Sequence, residues 1–558
     1  MKHAAFAVAS LLLLGATTAE QYHIDLTRYF SSPSGEAQSR AATSDEARVF
    51  AVSATPSSPR GLLRWLQRYD DLLESLERHD VYVYLMSEEN DSDTADLRAD
   101  ETLGALEDAI TDRVVRAAQE LGASRIASWT RVAPLQAYRY LLEDLLVRGS
   151  HRLSSADARA VALTATPVLD LAASSYKALR KASAPIAMHQ DAYAALLVSI
   201  GAARNGVARL RGFAGAAEAA YFDRSLSPES VERTLKAIHA STAYARYRKI
   251  SALAPKAGFT PAPTLIGPAI VAILAAERPM GVAYESAYAD LLNPLSGRLE
   301  LCTAPSCDDD GFSVGFAGID SGVYYGGYTG TINAVRALAH EAGHAVHREF
   351  MSRHQPIAAY NRGPSFMFES FAIFNELLFL NHLYETAAND EQRAYFLNYF
   401  LDDATFQVFG SAEETELERA IYSGIDDRTL KVATDFDALT ATVFARYDPS
   451  TTKDPATALY WARDRLFFTD PLYDVNYLYA GLLALNYFVD FQRDGPAFSH
   501  RYVALLENGF NDTPAALERR FLGIDLSNEA GLVATSGQLI DARTALLAEL
   551  YAKAAQTP

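Results

Sequence analysis

His340, Glu341 and His344 have the residue types and the spacing of a hydrolytic metal site. They lie in the run Thr331-Ile-Asn-Ala-Val-Arg-Ala-Leu-Ala-His340-Glu341-Ala-Gly-His344-Ala-Val-His347. On a helix, residues four apart stand on one face a turn apart, so both imidazoles can reach one ion. Glu341 sits beside that face, placed to take a proton from an activated water. Zinc, one ion per chain, suits this chemistry because it brings the pKa of water towards neutrality and polarises a scissile carbonyl. The chain has only 12 His, so a chance match to this pattern is improbable.

A catalytic ion also needs a third protein ligand and an open position. His347 stands at the wrong angle for the same ion and is expected next to it, supporting a ligand or facing substrate. Phe350 occupies the place where a metzincin carries its third His, and Gly363 the place where shorter-spaced glutamate zincins carry their Glu. The next acidic residues, Glu369 and Glu376, are one heptad apart and so nearly on one helical face. Glu369 as ligand, with Glu376 orienting a ligand imidazole, would complete the site. The competing reading is a pair of solvent-facing glutamates. Phe366, Phe368, Phe371 and Phe374 make this helix mostly buried instead, where unpaired carboxylates are costly.

The elements that must position these residues are mainly helical. From Leu62 onward apolar residues recur at helical spacing, as in Leu63, Trp65, Leu66, Tyr69, Leu72 and Leu73. Ser154-Ser-Ala-Asp157 and Ser227-Pro-Glu229 resemble helix starts, with a side-chain oxygen free to cap orphan amides. One region departs from this texture. Arg298-Leu-Glu-Leu301 and Gly311 to Tyr328 are rich in Gly, Val, Phe and Tyr, and predict short strands in a small sheet just before the metal helix. Its edge could pair with an extended peptide or be a purely structural hairpin.

At 558 residues, 49% hydrophobic and 21% charged, the chain is expected to fold into more than one lobe. A net charge of −19 repels phosphates, which excludes nucleic-acid binding as a main role. Residues 1–19 read as a signal peptide: Lys2 and His3 precede a short apolar run from Ala4 to Leu14, with small residues through Ala19. A secreted or periplasmic protein is expected, with no later stretch apolar enough for a membrane anchor. Residues 20–60, rich in Ser, Ala and Pro, read as a linker or poorly ordered arm. An N-terminal helical region follows over 61–255, and prolines from Pro255 to Pro263 mark the change to a catalytic region over 256–558. Cys302 and Cys307, the only cysteines, suit a local disulfide in an exported protein; two free thiols are the alternative.

The chain resembles the M3 peptidases, which include thimet oligopeptidase and oligoendopeptidase F. The likeness lies in Tyr328-Thr-Gly-Thr331 ahead of Leu338-Ala-His340-Glu341-Ala-Gly-His344-Ala-Val-His347, in Ser352-Arg-His-Gln-Pro356, and in Glu369-Ser-Phe-Ala-Ile-Phe-Asn375-Glu376. Leu505-Leu-Glu-Asn-Gly-Phe510 and Gly523-Ile-Asp-Leu-Ser527 extend it downstream, and Val207-Ala-Arg-Leu-Arg-Gly-Phe213 extends it weakly upstream. It implies a mainly α, two-lobed, multi-helix body with a deep central channel. It implies zinc on the channel floor, held by His340, His344 and Glu369, with Glu341 as general base acting on short peptides. The family also binds the oxyanion through a segment bearing Tyr and His. Its counterpart here is Asp470-Pro-Leu-Tyr473-Asp-Val-Asn-Tyr477-Leu-Tyr479. Tyr477 is the preferred donor, with Tyr473 and Tyr479 next, against the reading that all three simply pack in an aromatic helix. The family's His ahead of this stretch is absent, and Leu466, Phe467 and Phe468 stand in its vicinity. The resemblance allows an endopeptidase, a dipeptidyl carboxypeptidase, or a zinc-containing peptide binder with impaired turnover. Cleavage-site preference and oligomeric state stay open.

Overall fold

Ala- and Leu-rich runs capped by Ser, Thr and Asn build most of this chain into helices. The computed structural model describes residues 21–89, 94–181, 185–254, 258–302, 311–450 and 454–556. Eight of the helices, numbered in chain order, frame the site and its surroundings. They are α1 (Pro33–Ala51), α2 (Pro59–Glu89), α3 (Thr94–Trp129), α4 (Ile332–His354), α5 (Ser365–Thr386), α6 (Asp390–Thr405), α7 (Ser411–Asp426) and α8 (Asp474–Asp494). Among the described residues three strands interrupt them: β1 (Leu299–Cys302), β2 (Gly311–Phe316) and β3 (Ile319–Gly326). They form one sheet in the order β1-β3-β2, with β1 parallel and β2 antiparallel to β3. The sheet lies directly ahead of α4 in the chain and packs on it through β2 and β3. The protein is therefore mainly α with a small sheet beside α4.

The helical stripe read at Leu62–Leu73 is a core face, with Leu62, Leu66, Tyr69, Leu72 and Leu73 all buried. Ser154 and Ser227 are helix caps: their hydroxyls accept from Asp157 N and Ser230 N, each at 3.1 Å. At the site, α5 packs against both α4 and α8. Leu338, Ala342, Val346, Phe371, Phe374 and Tyr487 belong to the core that joins them. The floor of the site is thus held by aliphatic and aromatic burial on its far side.

Two expectations about organisation are corrected. Residues 20–60 are not an unstructured arm: α1 is a regular helix over Pro33–Ala51, opened by the Ser32 hydroxyl accepting from Gly35 N at 3.1 Å. Its Phe50 stacks on Trp65 of α2 with ring centroids 4.7 Å apart. The helix tolerates weak amphipathicity because alanine favours helix intrinsically and a few buried side chains anchor it. The division expected at residues 255/256 does not coincide with the edge of a core. One core joins α1–α3 to Val314, Phe316 and Ile319 of the sheet. Another joins Tyr176, Tyr193 and Leu197 to Trp461, Phe467 and Phe468. Prolines mark where a helix stops, whereas a core closes wherever apolar stripes meet in space.

Cys302, at the end of β1, is disulfide-bonded, and its expected partner Cys307 lies outside the described residues. The expected leader at 1–19 also lies outside them. Among the described residues no helix is long and apolar enough to cross a membrane.

Candidate metal centre

Helix α4 begins at Thr331, whose hydroxyl accepts from Ala334 N at 3.2 Å. It ends with Arg353 and His354 in its last turn, where positive charge suits the exposed carbonyls. Gln355, extended ahead of Pro356, stops it. His340 and His344 project from one face of α4 with their rings perpendicular and centroids 4.7 Å apart. Their Nε2 atoms are 3.1 Å apart. Glu369, from the first turns of α5, brings Oε2 to 3.4 Å from His340 Nε2 and 3.6 Å from His344 Nε2.

Gly343 allows that approach. A Cβ at this position would lie 2.8 Å from Asn375 Nδ2 and 3.1 Å from Ala372 Cα, so any side chain would push α4 and α5 apart. Asn375 cannot easily yield, because its amide donates to Phe371 O and its oxygen accepts from the Tyr284 hydroxyl at 2.9 Å. Glycine costs about 1 kcal/mol in a helix interior. Here it sets the distance between the imidazoles and the carboxylate.

The donor set fits zinc: two imidazole nitrogens and one carboxylate oxygen converge on a common point. Glu369 is only 8% exposed, yet its Oε2 has no hydrogen-bond partner. An orphaned buried carboxylate oxygen aimed between two imidazoles is what a cation would satisfy. Glu369 Oε1 is already engaged, accepting from the Tyr473 hydroxyl at 2.7 Å.

Glu376 fixes the orientation of His340. Its Oε1 pairs with His340 Nδ1 and its Oε2 with the Arg336 guanidinium, which also reaches Asp403 of α6 at 3.1 Å. With Nδ1 engaged, Nε2 is the nitrogen turned towards Glu369. Burial opposes a charge on His340, but Glu376 and Glu369 outweigh it and hold the ring well above its ordinary pKa. Burial likewise opposes ionisation of Glu369, but the nearby His340 and His344 imidazoles hold it below the usual carboxylate range. The cluster therefore demands positive charge.

Glu341 follows His340 on α4 and acts electrostatically on both His340 and Tyr477, while its side chain also meets the sheet. A Cβ on Gly311, the first residue of β2, would lie 3.0 Å from Glu341 Cγ and 2.9 Å from the Tyr325 ring. The edge strand β2 thus begins against the side chain of Glu341. Arg348, one turn beyond His344, secures the strand to α4 through Gly315 O at 3.2 Å and Ser313 Oγ at 3.3 Å.

The three tyrosines separate. Tyr473 holds Glu369 through its hydroxyl. Tyr477 stands with its ring centroid 5.4 Å from that of Tyr473. Burial, then the charges of Glu369 and Glu341 among its neighbours, push its hydroxyl well above the ordinary tyrosine range. It keeps its proton and remains a donor. Tyr479 does not face the site: its hydroxyl lies 3.1 Å from both Ser230 Oγ and Thr234 Oγ1. A two-residue step along a helix turns a side chain by about 200°, which removes Tyr479 from the face that carries Tyr477. Expectation also differs from observation at His347. It supports no ligand; it packs against Phe368, Phe371 and Phe510, and its Nδ1 has no partner. Burial, with Arg348 and His344 nearby, pushes it well below its ordinary pKa, so it is a neutral core ring. Phe467 and Phe468, near the place of the absent family His, are likewise core residues, with Phe468 stacked on Tyr176 at 4.2 Å.

Arg336 and Asp403 were not singled out in the sequence. Arg336 stands one turn before His340 on the same face, which is a signal that could have found it. Nothing in the sequence pairs Asp403 with it.

Residues 319–536 match the family model described as Peptidase family M3. The chain is 26% identical over 235 residues to Group B oligopeptidase PepB of Streptococcus agalactiae, covering 40% of this chain and 37% of that protein. It is 25% identical over 228 residues to Oligopeptidase PepF of Bacillus subtilis, covering 39% of this chain and 31% of that protein. These alignments span only about a third of each relative's length. The crystal structure of oligoendopeptidase-F from Enterococcus faecium superposes with a TM-score of 0.62 at 18% identity, covering 92% of this chain and 98% of that one. At that identity the likeness is one of fold.

Proposed function

We propose that the chain, whose residues 319–536 match peptidase family M3, is a zinc-dependent endopeptidase acting on short peptides. The observation that carries this reading is the convergence of His340 Nε2, His344 Nε2 and an otherwise unpartnered Glu369 Oε2, with Glu341 next to His340 in the chain. Zinc held by these three residues would supply Lewis acidity, activating water and polarising the scissile carbonyl.

The remaining work falls to the chain's own side chains. Glu341 takes a proton from the attacking water and delivers it to the amine as the C–N bond breaks. Tyr477, with its hydroxyl protonated, donates to the developing oxyanion. Tyr473 and Glu376 keep Glu369 and His340 in their ligating orientations through their hydrogen bonds to them. The main chain of an extended peptide pairs with the edge strand β2, whose first residue lies against Glu341. A channel of the kind the family implies would admit peptides and exclude folded proteins. A leader at residues 1–19 would carry the activity to the periplasm or outside the cell.

The test is cleavage of a length series of internally quenched peptides by the purified mature protein, beside a chelator control and Glu341→Gln. Expected is internal cleavage that the chelator abolishes and Glu341→Gln reduces by orders of magnitude, with zinc retained. Zinc retention without cleavage of any peptide would overturn the enzyme reading in favour of a peptide binder. Release of C-terminal dipeptides alone would overturn the endopeptidase reading. Glu369→Ala should lower zinc content, and unchanged occupancy would remove Glu369 from the ligand set.

A further inference from the structure

A second group of acidic side chains lies behind the tyrosine segment. Glu414 comes from the first turn of α7, Asp464 from the connection ahead of α8, and Asp474 is the first residue of α8. Each offers an oxygen within 4.8 Å of those of the other two. Two of them are partly occupied: Glu414 Oε1 accepts from the Tyr460 hydroxyl, and Asp464 Oδ1 accepts from Leu466 N at 2.9 Å. Asp474 is different. It is 1% exposed, and its Oδ2 is buried with no hydrogen-bond partner.

The strongest charges acting on Asp474 are those of Glu414, Asp464, Glu418 and Asp470, all acidic. Those acting on Glu414 are Asp464, Glu413 and Glu418. Arg465 acts on Asp464, while Arg204 and Arg224 serve Asp470 and Glu418. Burial, followed by this repulsion, pushes Glu414 up to about 8 and Asp474 well above the carboxylate range. Two buried carboxyls and the half-buried Asp464, brought this close with one oxygen of Asp474 unpartnered, call for shared protons or a cation.

The geometry points to a second cation site at Glu414, Asp464 and Asp474, for a hard divalent ion of the calcium class. An all-oxygen donor set without imidazole or thiolate selects calcium or magnesium over zinc. Three carboxylates at one point favour calcium, because magnesium is usually held by one or two carboxylates and keeps several of its waters. Three separate chain segments would be tied at one point. Asp474 lies between Tyr473 and Tyr477, so the ion would fix the start of α8 and, through it, the tyrosines facing the metal centre. The cation site does not depend on the peptidase reading.

The test uses the full mature protein, stripped of metals on chelating resin and reloaded with one equivalent of zinc. Calcium chloride, and separately magnesium chloride, is titrated calorimetrically, and the thermal midpoint is followed. Expected are one equivalent of calcium per chain, release of protons on binding at pH 7, and a thermal midpoint that rises with calcium concentration. Asp474→Asn and Asp464→Asn should each lose the calcium equivalent and the rise. Without calcium these variants should be at least as stable as the wild type, because the substitution relieves repulsion. His344→Ala should keep the calcium equivalent, which separates this site from the zinc centre. No uptake of calcium up to about 10 mM, above the range of extracellular calcium modules, would overturn the site and leave the trio as proton-sharing carboxyls. So would a calcium equivalent that survives Asp474→Asn, and uptake of magnesium alone would overturn the calcium class.

Discussion

Replacing Glu376 by Gln changes one atom in a buried chain that runs from Asp403 through Arg336 and Glu376 to His340. Glu376 is 2% exposed, so solvent does not replace what is lost. The carboxylate accepts on both oxygens, from the imidazole on one side and the guanidinium on the other. A glutamine accepts on one side only. If its oxygen stays on His340 Nδ1, its amide nitrogen faces the Arg336 guanidinium, donor against donor. If it flips, the amide donates to Nδ1 and places the ring proton on Nε2, the atom that must bind the metal. Either arrangement weakens the site. Loss of such an orienting carboxylate costs about 10–100-fold in metal affinity, or about 1.4–2.7 kcal/mol. Arg336 keeps Asp403, so the cost to the fold should stay within the ordinary range of about 0.5–3 kcal/mol. The assay is competition for zinc against a chromophoric chelator, paired with thermal midpoints and with peptide turnover at rising zinc. Zinc affinity should fall into that range, and excess zinc should recover most of the turnover. Wild-type zinc affinity in a Glu376→Gln protein would refute the argument that this carboxylate sets the tautomer of His340.

Gly343→Ala should gain about 1 kcal/mol of helix propensity and lose about 1–3 kcal/mol to the clash with Asn375 and Ala372. Its clearest effect should be weaker zinc retention, because Glu369 is displaced from the imidazoles; retention equal to wild type would show that the close approach is unnecessary. Tyr477→Phe should lower kcat by about 10²–10³-fold with zinc content unchanged. Tyr479→Phe should leave kcat near wild type and cost about 1 kcal/mol of stability through its lost hydroxyl contacts, and equal kinetic losses in the two variants would refute their separation. Burial pushes Glu518, which accepts from the Tyr487 hydroxyl, up to about 8. The folded state thus holds a proton that the unfolded chain, at about 4.3, gives up. That contribution is fully present below about pH 4.3 and is lost as pH rises to about 8. Thermal midpoints of wild type should therefore fall relative to Glu518→Gln between pH 5 and about 8, and parallel profiles would refute the shift.

Local sequence carried a large part of the site. The spacing of four between His340 and His344 puts them on one face of any helix, and the heptad from Glu369 to Glu376 does the same on the next. The Gly-, Val- and Tyr-rich stretch ahead of α4 was legible as strands because its period is not helical. Other features were invisible because their causes are not local. The helix at Pro33–Ala51 looked like a linker until Phe50 found Trp65. His347, in register with the ligands, lies among phenylalanines from α5 and from near Phe510.

The tyrosine segment shows the boundary between the two kinds of information. Sequence alone determined that three hydroxyls fall within seven residues near the start of one helix. It also determined the donor types on offer, since side-chain chemistry and helical period are properties of the chain itself. Only the tertiary structure decided that Tyr473 reaches Glu369, Tyr477 stands beside it, and Tyr479 turns to Ser230 and Thr234. It likewise decided which carboxylate faces the imidazoles and that Asp474 meets Glu414 and Asp464. The physical reason is that a period sets directions around one helix axis, whereas distances between helices are set by what their faces can bury, here by a glycine at 343.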